Sequence, residues 1–131
     1  MEWDVTVSGR QGRLSLELSC QRVGEEVLLC LTGGSSPHIG CAVLASPRPS
    51  LSDPGKVSAT SSVLNLPGHK DEALCRSLAE AVSAALNRTA LCVGGVHVDR
   101  ITAEELSWFA QQAALLGEQA VQELRALKAS P

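Results

Sequence analysis

Apolar and polar residues alternate with a period of two from Leu14 to Gln21: Leu14, Leu16, Leu18 and Cys20 on one side, Ser15, Glu17, Ser19 and Gln21 on the other. That spacing places the two sets on opposite faces of an extended chain and predicts a half-buried strand. Val23-Gly24-Glu25 reads as a turn, and Glu26 to Leu31 as the returning strand of a hairpin. Thr32-Gly33-Gly34-Ser35-Ser36-Pro37 breaks the pattern. Ile39 to Ala45 is apolar almost throughout, which predicts a third strand covered on both faces. The stretch from Pro47 to Gly55 reads as a long mobile loop, Val57 to Leu64 as a fourth strand, and Trp3 to Val7 as an extra one. The period then changes. Leu74, Leu78, Val82 and Ala85 form one stripe of a helix from about Lys70 to Leu86, with Asp71 and Glu72 at the positive end of its dipole and Asn87 as the stop. Thr89 to Val96 has the apolar content of a central strand, the fifth. Thr102-Ala103-Glu104-Glu105 fits a capping box opening a final helix, whose stripe is Leu106, Phe109, Ala113, Leu116, Ala120, Leu124 and Leu127.

This order, β-β-β-β-α-β-α, predicts one α+β domain over residues 1–131: a mainly antiparallel sheet of five or six strands carrying two helices. Simple up-and-down connections then fix where the three histidines go. His38 enters the third strand, His69 follows the fourth and His97 ends the fifth, so all three reach one end of the sheet, with Lys70 and Asp99. The fourth and fifth strands run parallel, joined by a right-handed helical crossover.

Composition narrows the partners. The chain has 131 residues, a formal charge of −3 and no lysine/arginine block, which argues against a nucleic-acid or acidic-membrane surface. Tyr is absent and the aromatics are only Trp3, Trp108 and Phe109, so there is little material for stacking platforms. Five cysteines stand singly, with no CxxC, and read as reduced thiols packed as small hydrophobes. No apolar run is long enough to span a membrane, and the first residues lack the form of a signal peptide; the expectation is a cytoplasmic protein.

The histidine turns support several kinds of chemistry. One is an anion site: a helix opening after Gly68 directs backbone N–H groups at the cluster, Lys70 adds charge, Gly33-Gly34-Ser35-Ser36 can form a backbone nest, and Gly94-Gly95 admits a ligand close to the strand. A second is a metal centre of His38, His69 and His97 with Asp99 as ligand or support, in a small metal-dependent enzyme. A Ser-His-Asp nucleophile lacks its GxSxG elbow. In the plainest arrangement each histidine orders its own loop, and His97 bonds to Asp99 two residues on.

The double glycine Gly33-Gly34, then Pro37-His38-Ile39-Gly40 before an apolar strand, the turn Pro67-Gly68-His69-Lys70-Asp71 and the strand end Gly95-Val96-His97-Val98-Asp99 together resemble the prenylated-flavin chaperone (LpdD-like) family. These are the small D-type accessory subunits of gallate and hydroxybenzoate decarboxylase systems. More distantly, the pattern is similar to the third and fourth proteasome assembly chaperones, small α+β proteins that work as dimers. The resemblance covers the last three quarters of the chain. It implies a non-enzymatic accessory protein for a UbiD-type decarboxylase, carrying or inserting prenylated flavin mononucleotide (FMN), with Gly33, Gly34, His38, Gly68, His69, Lys70, His97 and Asp99 as cofactor-binding residues and no metal. A purely protein-binding assembly chaperone is the competing implication. Where the family often has Asn after the last motif, this chain has Arg100.

The final helix carries its stripe over more turns than a small sheet covers. Its overhang, with Leu116 and Leu124, is therefore expected to pair with a second copy in a homodimer.

Overall fold

The computed structural model describes residues 2–66 and 71–128. Six strands and two helices follow in order: β1 (Val5–Gln11), β2 (Leu14–Val23), β3 (Glu26–Gly34), β4 (Cys41–Pro49), β5 (Val57–Asn65), α1 (Glu72–Leu86), β6 (Ala90–His97) and α2 (Ala103–Ala126). They build the expected α+β fold with a mostly antiparallel sheet. The strand anticipated at Trp3 to Val7 is real and longer, running to Gln11.

The spatial order is β1-β2-β3-β6-β4-β5. β6 lies parallel to β3 and antiparallel to β4, so β3 and β4 are not neighbours as a simple up-and-down path requires. Its Ala90-Leu91-Cys92-Val93 run explains the insertion, because the most apolar strand gains most from having a neighbour on each side. The strand directions survive the change. β5 and β6 still run the same way, each antiparallel to the intervening β4. The chain from β3 to β4 must now cross the carboxyl end of β6, and it is held there by Ser35 N donating to His97 O (2.8 Å) and Gly40 N to Gly94 O (2.9 Å). That crossing positions His38.

Both helices cover the same face of the sheet, α2 over β1 and β2, and α1 over β4, β5 and β6. The core between them contains Leu16, Leu18, Leu29, Leu31, Val43, Leu78, Val82, Phe109 and Leu116. Among the described residues no element covers the other face of the sheet. β4 is therefore buried on one side only, with Leu44 half exposed, against the two-sided burial its composition predicts. β4 also absorbs Pro47-Arg48-Pro49, which pair with Ala59, Ser58 and Val57, so the connection to β5 shrinks to seven residues. Asp53 orders that connection by accepting from Gly55 N and Lys56 N.

α1 starts at Glu72 and stops at Asn87 in the left-handed conformation (φ 53°). Its buried face is Cys75, Leu78, Ala79, Val82 and Ser83; Ala85, expected in the stripe, is exposed. The capping box of α2 is present in both directions, Glu105 N to Thr102 Oγ1 at 3.1 Å and Thr102 N to Glu105 Oε1 at 3.0 Å. Leu116 and Leu124 are 2% and 8% exposed within this one chain. Leu116 and Leu124 are thus covered within the chain itself and do not form the predicted overhang; of the stripe, Leu106 stays half exposed. All five cysteines are free thiols. Burial pushes Cys20 and Cys41 up to about 12, so neither is a nucleophile near neutral pH. Among the described residues no helix is long and apolar enough to cross a membrane.

Candidate functional site

The loop over β6, the first turn of α1 and the start of α2 meet at one end of the sheet. His38 and His97 both arrive there, as the strand directions require. His69 and Lys70, with Gly68, lie outside the described residues.

Asp71 is the centre of this end, at 4% exposure. It occupies the N-cap position of α1, yet its side chain makes no cap bond. The carboxylate turns to the sheet instead: Oδ1 accepts from Val96 N at 2.8 Å, and Oδ2 lies 3.1 Å from His38 Nε2. The geometry follows from the ladder. Pairing of β6 with β4 ends at Gly94, so the Val96 N–H needs an acceptor from elsewhere.

His38 is held on both sides. Its Nδ1 sits 3.0 Å from Ser36 O while Nε2 faces Asp71. A carbonyl and a carboxylate can only accept, so both ring nitrogens must carry protons and the imidazolium is the form that fits. The Ser36 carbonyl first, and then the Asp71 carboxylate, raise the His38 pKa above the usual histidine range, against an opposing effect of burial.

Two glycines make room for this pair. A methyl group on Gly95 would stand 2.6 Å from Asp71 Oδ2 and 2.8 Å from His38 Nε2, and one on Gly40 would collide with the same carboxylate. The space read from sequence as a ligand approach beside Gly94-Gly95 is thus filled by the protein itself: Asp71 and His38 stand against Gly95, and a side chain on Gly94 would strike Leu31 O. Gly33 and Gly34 also serve the backbone. They belong to β3, and side chains there would strike Ser15 O and His97 O respectively. Both glycines line a separate hollow of about 500 Å³ between the ends of β1, β2 and β3, with Ser8, Arg10 and Thr32.

His97 Nε2 is 2.9 Å from Asp99 Oδ1, the local pair foreseen from their spacing. Both are more than half exposed, so the pair contributes little to stability. Arg100 follows in the left-handed conformation, φ 52°. Nearby, Arg13 grips Glu105 with two 2.8 Å bonds, and the guanidinium holds that carboxyl down at about 2.

Beside these groups opens a cleft of about 460 Å³. His38, Asp71 and His97 form its polar side; the rest is apolar and includes Leu74, Val98, Ile101, Leu106 and Phe109. The apolar wall, including the half-exposed Leu106, was not separable from the core stripe in the sequence. Among the described residues no three His, Cys, Asp or Glu side chains are placed to hold a metal ion. His38 in particular directs both nitrogens at its own acceptors rather than at a centre shared with His97.

Comparison with known proteins places the chain. It is 23% identical over 126 residues to Protein LpdD of Lactiplantibacillus plantarum, an alignment covering 92% of this chain and 85% of that one. Its fold is similar to a chain of the crystal structure described as a novel chaperone complex for yeast 20S proteasome assembly, at TM-score 0.51 and 13% identity over 93% of this chain and 95% of that one. A family profile described as "prenylated flavin chaperone LpdD-like domain" matches residues 10–125, and the chain belongs to that family.

Proposed function

We propose that this protein is a non-enzymatic accessory chaperone of a UbiD-type decarboxylase, acting in the cytoplasm as a homodimer and holding prenylated FMN at the cleft between α1 and α2. The observation that carries the reading is the cleft itself, in a chain of this family. At about 460 Å³ it is within the range of small-molecule sites. Its walls suit a flat apolar ring, which the scarcity of aromatics leaves to Leu74, Ile101 and Leu106 with Phe109.

An anionic end suits the polar side. The His38 imidazolium supplies positive charge, with Asp71 already satisfied by His38 and Val96 N. Because Asp71 does not cap α1, the first backbone N–H groups of the helix stay available for a phosphate. In sequence, Gly68-His69-Lys70 immediately precede that turn, and Lys70 provides the charge-assisted donor. His97 lines the same opening and, held by its bond to Asp99, would orient polar parts of the ligand. Gly33 and Gly34 keep β3 closely packed against Ser15 O and His97 O at the same end of the sheet. When bound, the flavin brings the chemistry; the protein binds, orients and shields it.

The test is reconstitution. A UbiD-type decarboxylase produced together with this chain should contain several-fold more prenylated FMN, read from its absorbance, than the enzyme produced alone. Equal cofactor content with and without the chain would favour a protein-binding assembly role instead. The likeness to a proteasome assembly complex supports the fold and not that role, since a fold does not fix a function.

A further inference from the structure

The face of the sheet opposite the helices has an apolar centre. Strand register aligns Cys30, Val93, Ala42 and Leu64 in one cross-strand row and Leu28, Leu91 and Leu44 in the next. Leu44 and Leu64 are 50% and 77% exposed, and neither helix of the described residues covers this side. Around the centre stand neutral groups such as Thr6, Ser19, Thr32 and Ser62; the charged residues Arg10, Glu26 and Arg48 keep to the margin, and Glu17 lies on β2, between Ser8 and Thr32 and two strands away from Val93. An apolar centre with a polar rim is the anatomy of a protein interface rather than of a solvated face.

We infer that this face is where a second copy of the chain docks, sheet against sheet. The inference rests on the two-copy arrangement proposed above, and supplies the surface that α2 does not provide. Two features favour a second copy over a different protein. A two-fold contact sets a patch against itself, which requires a patch without like charges at its centre, and this one is neutral across four strands. The size also agrees. Counted with its polar and charged rim, the face spans six strands, which at ~4.8 Å spacing and about eight residues at ~3.3 Å give roughly 700 Å² of flat area per copy. A standard stable interface takes about 800 Å² from each partner. Stacked sheets pack ~10 Å apart with side chains interdigitating, and Leu44, Leu91 and Val93 are long enough to do so.

Sedimentation velocity decides the matter. Wild-type protein at about 50 μM should sediment as twice 13.7 kDa. Leu44→Glu should dissociate it, weakening association at least 100-fold, with an unchanged circular dichroism spectrum because Leu44 is half exposed. Leu44→Ser with Leu64→Ser, a milder pair that adds no charge, should weaken it about tenfold. A wild-type monomer at about 100 μM overturns both this inference and the homodimer. A dimer that withstands Leu44→Glu overturns the inference alone and leaves the homodimer standing. Loss of the dimer on Thr60→Pro but not on Leu44→Glu would assign it to the β5 edge, which also overturns the inference.

Discussion

His38 Nε2 stands 3.1 Å from Asp71 Oδ2, joining the loop that crosses β6 to the first turn of α1. Asp71 extends the link to the sheet through Val96 N. One buried carboxylate thus fastens three separate pieces of chain at the end where the cleft opens. Replacing Asp71 by Ala leaves the Val96 and His38 donors without this acceptor. At roughly 1–3 kcal/mol for each donor stranded, the loss should be about 2–4 kcal/mol, read from urea unfolding. Asp71→Asn should cost less, because the amide oxygen can still accept one of the two bonds.

The same pair makes stability depend on pH. His38 is raised in the folded protein, chiefly by the Ser36 carbonyl and then by Asp71. Its contribution is therefore complete below the unfolded histidine value near 6.5 and fades as pH climbs through the higher folded value. The urea midpoint should fall as pH climbs from below about 6.5 through the raised folded value, and His38→Gln should flatten that fall. An unchanged slope in the variant would remove His38 as its origin.

Gly95→Ala tests the cradle. The added methyl meets Asp71 Oδ2 at 2.6 Å and His38 Nε2 at 2.8 Å, neither of which can swing away without breaking its bonds. Overpacking of this kind costs about 1–3 kcal/mol. Gly55→Ala, where the nearest atom is Asp53 Oδ1 at 3.4 Å, serves as the control and should change the urea midpoint little.

These details show where sequence reading stops. Period-two and period-3.6 patterns carried the elements, because alternation in β2 and the stripe of α2 follow directly from one-sided burial. Strand directions, and with them the shared end of His38 and His97, followed from counting elements. The insertion of β6 between β3 and β4 was not legible, since adjacency depends on which strand loses most by being at an edge. Asp71 was read as a dipole-compensating residue at a helix start. Its true partner, Val96 N, is free only because β4 pairing stops at Gly94, a property of register and not of local sequence. The helix stripe likewise announced apolar residues without saying whether their cover was the same chain or another.

Arg100 offers a stabilising change. Its backbone is left-handed at φ 52°, which costs an ordinary L-residue about 1 kcal/mol and costs Asn or Gly less. Arg100→Asn should raise stability by roughly 0.5 kcal/mol and Arg100→Gly by a similar amount, measured as a higher urea midpoint with unchanged slope.

Binding of prenylated FMN to the isolated protein tests the central claim most directly. Titration calorimetry, with flavin fluorescence as a parallel signal, should give saturable binding of one cofactor per chain. Lys70→Ala should weaken it about tenfold, the equivalent of one charge-assisted bond. Leu106→Asp should weaken it at least as much by placing a carboxylate on the apolar wall at a half-exposed position. The absence of heat and of any fluorescence change up to about 100 μM cofactor would contradict the account.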